Sequence, residues 1–523
     1  MKMMSEVERI VEFKISRFDP VQNRRYTSAF KVPARRGTTV LEALLYIKDN
    51  LDESLTFRQS CRMGICGDCA VNIDGKPMLA CYTQVLDLNS GSLLIEPLSN
   101  APVIKDLVVD MQPFFDTYKR IKNYLIKPDE ELKKPEEFMQ SPENLKKFWD
   151  LTLCIQCSIC NSSCPAVIDE KFLGPSALTS TYRFITDSRD QGADERLKPM
   201  ADNVWLCTQC SSCTLFCPKK LTCAEAIVDD HSLIVETGNI PRTVKDVLES
   251  VYKYHNPMST PQAKRMDWAK DLNVPTYPAV TKADVLFFVC CSNAYDLRNQ
   301  EAARTMVTVF NRMGVSFATL GAEEWCCGDH MLRMGEKGLF EELAEHNVSM
   351  FKKLEATKIV TLSPHCYNTF KNDKPYKDAG LKVQHYTEFL SEALQTGRLR
   401  LTRPVKKTVA YHDPCFLGKR NDVFDAPRRI LQTIPGLKLV EMKRTRQSSF
   451  CCGGGAGRVW TEDALPEKRP STNRLHEALD LGVDTVAVAC PYCITTLEDA
   501  VKVLDVEAKI SVKDILELTK EAI

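Results

Sequence analysis

FCCGGGAG, Phe450 to Gly457, places two cysteines side by side and follows them with glycines. Adjacent cysteines meet the geometry of a disulfide only under strain, so the pair needs another explanation. The same tripeptide occurs earlier in WCCG, Trp325 to Gly328. The surroundings of the two pairs follow one plan. DVLFFV precedes Cys290-Cys291, VSFATL precedes Cys326-Cys327, and KIVTL precedes SPHCYNTF with Cys366. Further on, TVAYHDPC ends at Cys415, SFCCGG carries Cys451 and Cys452, and DTVAVACPYC carries Cys490 and Cys493. The series recurs at an offset of about 125 residues, which reads as an internal duplication of α/β character. Cysteines that follow short apolar runs lie at strand ends, where such folds gather ligands. Four or five thiolates from three turns can wrap one metal cluster, and the glycines let backbone approach it. Zinc held by four cysteines is the alternative, and it stays open for the first of the two segments.

Composition supports metal ligation. The chain has 523 residues and 23 cysteines, enough length for three or four domains. There are 69 Lys+Arg and 69 Asp+Glu, a formal net charge of zero, so no nucleic-acid partner is expected. No stretch approaches the ~18 apolar residues of a membrane span, and no apolar leader opens the sequence. The expectation is a cytoplasmic protein without a transmembrane segment, in which cysteines serve metals rather than disulfides.

Two further groups lie upstream. SCRMGICGDCAV with LACYTQ gives Cys61-x4-Cys66-x2-Cys69 and then Cys81, the plant-type [2Fe–2S] spacing. Gly64 and Gly67 let the loop fold around such a cluster. Val7 to Phe13 and Ala29 to Val32 alternate as strands do. Thr38 or Thr39 caps a helix through Ile47, and Asp74-Gly75 makes a hairpin turn after Val71 to Ile73. A β-grasp domain is expected there, with zinc as the alternative occupant. The next group is CIQCSICNSSCP (Cys154, Cys157, Cys160, Cys164) and CTQCSSCTLFCP (Cys207, Cys210, Cys213, Cys217). Both are C-x2-C-x2-C-x3-C-P, in which the fourth cysteine crosses to the other cluster. The expected sets are Cys154, Cys157, Cys160 and Cys217 for one cubane [4Fe–4S], and Cys207, Cys210, Cys213 and Cys164 for the other. Cys223 fits neither run and reads as a packed free thiol.

Through these residues the first half resembles the iron–sulfur subunit of succinate dehydrogenase and fumarate reductase. FLGPSALTSTYRFITDSRD and NVWLCTQCSSCTLFCPKK extend the resemblance. Many members of that family lack the middle cysteine of the second run, but Cys210 is present here. Quinone-reactive members carry tryptophans and a histidine where this chain has Ala166, Val167 and Thr208, which argues against a quinone site. The second half resembles heterodisulfide reductase catalytic subunits and related CCG-domain oxidoreductases, through AYHDPCFLGKRNDVFDAPRRIL, SFCCGGGAGRVW and VACPYC. That resemblance implies a noncubane [4Fe–4S] cluster on Cys415, Cys451, Cys452, Cys490 and Cys493, which are the catalytic candidates. In the first segment the family's C-x-x-C is Ser363-Pro-His-Cys366, and Cys290 stands where relatives usually have glycine. Either Cys290 or Ser363 joins Cys291, Cys326, Cys327 and Cys366, or only those four bind, around a cubane or zinc.

The joined halves resemble the iron–sulfur subunit type of the thiol:fumarate reductases of methanogens. That resemblance implies oxidation of coenzyme M and coenzyme B thiols to the heterodisulfide, with electrons passing through two [4Fe–4S] clusters and one [2Fe–2S] to a flavoprotein partner that reduces fumarate. One or two CCG-type clusters and an FAD on the partner chain complete the expected cofactors. GGGAG, Gly453 to Gly457, lacks the third glycine of a dinucleotide fingerprint, so no FAD site is expected on this chain. The alternative function is an electron relay for a succinate dehydrogenase-like or electron-transfer-flavoprotein-linked complex, with no thiol substrate of its own. The expected organisation is multidomain α+β: a β-grasp [2Fe–2S] domain (1–135), an α-helical two-cluster domain (136–255), and duplicated α/β CCG segments (256–400 and 401–523). His330 and His412 flank the cysteine turns, as acid–base groups or as core hydrogen-bond donors, and Arg333, Lys419, Arg420 and Arg458 either meet a sulfonate or phosphate or, the preferred reading, are solvated surface charges.

Overall fold

A computed structural model describes residues 9–133, 135–461 and 465–523. The described residues fall into two compact units, one running up to Val204 and resuming at Ser211–Asp230, the other joining Trp205–Cys210 to His231–Ile523. Val7, at the start of the first expected strand, lies outside the described residues.

The first unit opens with a five-stranded mixed sheet. β1 (Arg9–Asp19) pairs antiparallel with β2 (Arg24–Ala34) and parallel with β5 (Ser92–Glu96). β3 (Ala70–Ile73) pairs antiparallel with β5 and with β4 (Lys76–Leu79), so the order is β2-β1-β5-β3-β4. Alternation sets the buried face: Val11, Phe13 and Ile15 of β1 are fully buried. Val40–Asn50 forms the expected helix, three residues longer than the sequence pattern reached, and Thr39 caps it through a reciprocal bond pair with Glu42. Asp74 and Gly75 adopt positive φ (48° and 75°), the hairpin turn expected between β3 and β4. β6 (Val103–Lys105) and β7 (Val108–Val109) form a small ribbon. Beyond them the unit is helical, with Gln112–Arg120, Pro175–Ile185 and Ala193–Ala201 among its helices.

The second unit holds two parallel sheets. β8 (Lys282–Phe288), β9 (Phe317–Ala318), β10 (Glu355–Thr361) and β11 (Val383–His385) take the order β11-β10-β8-β9. β12 (Thr408–Tyr411), β13 (Lys438–Val440), β14 (Thr485–Val488) and β15 (Ser511–Asp514) take the order β13-β12-β14-β15. Counted within its own sheet, each reads 2-1-3-4, and every pairing in both is parallel. The strand order reverses between β8 and β10 in one sheet and between β12 and β14 in the other. Ligands in open parallel sheets collect at the carboxyl ends of such strands. Phe287, Phe310 and Phe389 pack in the core, with Phe310 5.4 Å from Phe287 and 5.5 Å from Phe389. Burial of each such ring contributes about 2–3 kcal/mol.

Candidate iron–sulfur sites

The turns after the central strands carry the cysteines. In the first CCG segment, Cys290 and Cys291 follow β8 and open the helix Cys291–Tyr295. Cys366 follows β10 in the first turn of the helix Pro364–Asn372. Cys326 and Cys327 come from the loop before the helix Asp329–Arg333. The five thiols are buried and linked in one chain of side-chain hydrogen bonds: Cys291 to Cys326, Cys326 to Cys327, Cys327 to Cys366, and Cys366 to Cys290. Ser363 stands apart from this chain. Its hydroxyl accepts from the His365 amide at 3.3 Å and caps the helix.

Cys290 is held in an unusual backbone conformation, φ 75° and ψ 147°, a region that costs of order 1–3 kcal/mol outside glycine. Buried Glu324 fixes it, accepting from the amides of Val289 and Cys290 at 3.1 Å each. Arg265 pairs with Glu324 and reaches Cys291 Sγ at 3.5 Å.

In the second segment Cys415 follows β12, and Cys490 and Cys493 follow β14 at the start of the helix Pro491–Val503. Cys493 and Cys452 sulfurs are 3.3 Å apart. Cys415 bonds Cys451, Cys451 bonds Cys452, and Cys490 bonds Cys493. A sixth thiol joins them: Cys210 bonds Cys451 and interacts with Cys415. The approach is close, since a Cβ on Gly455 would lie 2.3 Å from the Thr208 carbonyl oxygen. Asp413 braces the turn, taking a bidentate bond from buried Arg428 at 2.7 and 2.8 Å and the Arg446 amide at 2.9 Å. Gly328 donates to Cys326 Sγ at 3.5 Å, and Gly453 to Cys451 Sγ at 3.3 Å. Amide donors aimed at thiolates stabilise them as ligands. Five converging thiols, buried except for half-buried Cys415, with an amide donor on Cys326 in one set and Cys451 in the other, fit a polynuclear iron–sulfur cluster, whereas zinc takes four.

Other polar groups surround these sets. His330 Nδ1 accepts from the Gly457 amide at 3.2 Å, and His412 Nδ1 from Arg474 Nε at 3.1 Å. Burial pushes both imidazoles down to about 3, so they are neutral. His365 Nδ1 bonds Asp329 at 2.7 Å; burial opposes its charge, but Asp329 outweighs this and raises His365 to about 10. Cys490 is likewise buried, yet bonds with Cys493 and His365 bring it down to about 5. Two of the arginines read as surface charges are in fact buried, because each has found partners. Arg333 pairs with Asp329 and Asp373, and Arg458 bonds the Leu206 carbonyl. Arg420 is half-buried and donates to the Gln209 carbonyl at 3.0 Å, and Lys419 is half-buried too.

The first unit brings its own cysteines together. The amides of Met63, Ile65 and Cys66 point at Cys61 Sγ at 3.4, 3.4 and 3.3 Å and lower its pKa to about 6. Cys69 accepts from the Cys81 amide at 3.4 Å, while burial pushes it up to about 12. Cys154, Cys157, Cys160 and Cys217 line one cavity with Ser176 and Thr179. Cys223, expected as a packed thiol, is buried in that same cavity and bonds Cys213 and Cys217. The two runs share a backbone trace, with Gln156 and Gln209 at φ 53° and 51° and Ser158 and Ser211 at φ 61°. Gly67, at φ 81°, lets its loop touch the first run, since a Cβ there would lie 2.7 Å from Cys157 Cβ. The Asp329–His365 pair, Glu324 and Tyr492 escaped the sequence reading. Only the position of His365 inside SPHC marked it.

Comparison with known proteins agrees with this arrangement. The chain matches a 2Fe-2S iron-sulfur cluster binding domain over residues 12–116 and a 4Fe-4S dicluster domain over 150–221. The CCG cysteine-rich domain matches twice, over 285–371 and 409–498. A subunit of the fumarate reductase (CoM/CoB) of Methanothermobacter marburgensis is 30% identical, over 94% of this chain and 95% of that one. The chain belongs to that family of iron–sulfur subunits. An uncharacterized iron–sulfur protein of Methanocaldococcus jannaschii is 32% identical over 96% of both chains. A subunit of the dihydromethanophenazine:CoB--CoM heterodisulfide reductase of Methanosarcina barkeri is 31% identical, over 72% of this chain and 94% of its own. A hypothetical protein from Helicobacter pylori shares the fold at 13% identity and a TM-score of 0.61, over 100% of this chain and 96% of that one. The protein is an iron–sulfur oxidoreductase subunit of mixed α/β structure. Among the described residues no helix is long and apolar enough to cross a membrane.

Proposed function

We propose that this chain couples oxidation of two small thiols, those of coenzymes M and B, to reduction of fumarate on a flavoprotein partner that carries FAD. Two thiols joining as a disulfide release two electrons and two protons, and fumarate takes up the same number to become succinate. The observation that carries the reading is the contact of Cys210 with Cys451. It joins a cysteine of a ferredoxin run to a CCG set, as transfer between thiol chemistry and a ferredoxin-like half requires. Bound iron–sulfur clusters supply one-electron redox chemistry at these residues.

The ligand sets are assigned by motif and contact. Cys61, Cys66, Cys69 and Cys81 hold one [2Fe–2S]. Cys154, Cys157, Cys160 and Cys217 hold one cubane, and Cys207, Cys210, Cys213 and Cys164 the other. Cys415, Cys451, Cys452, Cys490 and Cys493 hold a CCG cluster where the thiols react. Cys290, Cys291, Cys326, Cys327 and Cys366 hold another, with Cys290 supplying the thiolate that Ser363 does not. The four segments keep the boundaries 1–135, 136–255, 256–400 and 401–523. The first is a β-grasp domain and the last two arose by duplication, a reading supported by their shared 2-1-3-4 strand order. The location is cytoplasmic.

The test uses anaerobically reconstituted chain without its partner. Iron should exceed the ~10 atoms of the first three clusters. A reduced viologen dye should drive reduction of the coenzyme M–coenzyme B heterodisulfide. Cys451→Ala or Cys493→Ala should abolish this and leave the [2Fe–2S] signal intact. A fully metallated chain without dye-driven activity would be a relay instead, and ten irons or fewer with stoichiometric zinc would remove the CCG clusters from the reading.

A further inference from the structure

The strand-end turns Ser363–Cys366 and Cys490–Cys493 are equivalent, each opening a helix with Pro at its first position. His365 and Tyr492 are therefore the same position in the two segments. His365 bonds Cys490, in the other segment. Its Nδ1 is taken by Asp329 at 2.7 Å, which leaves the Nε2 edge for the sulfur. Phe416, the neighbour of Cys415, stacks on the His365 ring at 4.0 Å and fixes its plane. Tyr492, the neighbour of Cys493, is buried beside the His365 ring. The two rings meet edge to face at 5.2 Å, and both contact His330, at 4.9 Å from His365 and 4.6 Å from Tyr492.

We propose that His365 of the first CCG segment is a positioning residue for the second: it donates to Cys490 and sets the redox potential there. A donor aimed at a ligand sulfur favours the more reduced, more negative state and so raises the potential of the centre it faces. The second centre therefore lacks one of its neighbours unless the first segment is folded beside it. Asp329 anchors the donor: buried and ionised, it orients His365 and is itself held by Thr369 at 3.1 Å and by Arg333. The inference rests on the reading of both cysteine sets as cluster sites.

The experiment is a redox titration followed by EPR on the full, anaerobically loaded chain, with signals assigned through Cys366→Ser and Cys493→Ser. His365→Phe should move the second-segment signal to more negative potential and leave the first unmoved, although His365 adjoins Cys366. His365→Gln keeps a donor and should restore most of the second-segment potential, which a packing role would not do. It also guards against a phenylalanine variant that fails to load. If His365→Phe shifts the first-segment centre, or shifts neither, the assignment is wrong while the cluster reading stands. If the unsubstituted chain lacks the second-segment signal, the cluster reading fails and this inference with it.

Discussion

Asp413→Asn isolates what braces the turn at Cys415. Asp413 and Arg428 side chains are 2% and 4% exposed, and the two bonds between them are 2.7 and 2.8 Å. Breaking a buried pair by neutralising one partner costs about 3–5 kcal/mol, because the remaining charge is left without compensation. Arg428 keeps Glu441 at 2.6 Å, whose side chain is 42% exposed, so the low end of that range, about 3 kcal/mol, applies. At about 2 °C per kcal/mol for a unit of this size, the melting transition should fall by about 6 °C. Glu441→Gln removes the solvent-facing partner and should cost about 1 kcal/mol or less. Replacing both buried partners, Asp413→Asn with Arg428→Met, leaves no buried charge and should recover at least half of the loss. Scanning calorimetry on the loaded chain reads all three variants, which should shift the same transition. Equal shifts for Asp413→Asn and Glu441→Gln, or a double variant worse than either single one, would refute the argument from burial.

Three further outcomes follow from described geometry. In the metal-free chain Cys290→Gly should leave the melting temperature unchanged or raise it, because glycine relaxes a conformation costing about 1–3 kcal/mol. The same variant should lose iron from the first segment, and iron analysis showing none lost would make Cys290 a bystander. Gly67→Ala, strained at φ 81° and 2.7 Å from Cys157 Cβ, should destabilise the first unit by about 1–3 kcal/mol and reduce [2Fe–2S] occupancy, read by visible absorbance. Asp187 is buried, which favours its neutral form, but Arg189 and Arg183 outweigh this and hold its carboxyl below the ordinary range. Its stabilising contribution is therefore complete above the unfolded value near 3.9 and is lost as pH falls through the depressed one. Asp187→Asn should destabilise at pH 7 and converge with the parent as pH falls through the depressed value, and a penalty independent of pH would contradict the ion pairing.

Much of this was legible because cysteine spacing is read locally. The turns at Cys61–Cys69, Cys154–Cys164 and Cys207–Cys217 repeat fixed intervals that a single stretch of chain displays. The hairpin at Asp74-Gly75 and the cap at Thr39 are equally local. What escaped reading depends on distant packing. Nothing near Arg333 in sequence announces that Asp373 will neutralise it, so by its neighbours alone it reads as a surface charge. Cys223 lies outside every motif, yet folding returns it to the cavity of Cys154 and Cys160. The bond of His365 to Cys490 spans two segments that no local window contains, and so does the contact of Cys210 with Cys451.

That last contact also sets an order of events during synthesis. Trp205–Cys210 belongs to a unit whose remaining residues, from His231 on, leave the ribosome later. Cys451 emerges about 240 residues after Cys210, a delay of roughly 12–48 s at 5–20 residues per second. Through that interval the nascent chain presents the second ferredoxin run without the thiol that will adjoin it. With Cys210 as the proposed cluster ligand, delivery of iron and sulfide to it either precedes completion of its surroundings, and must be shielded from oxygen meanwhile, or waits for the whole polypeptide.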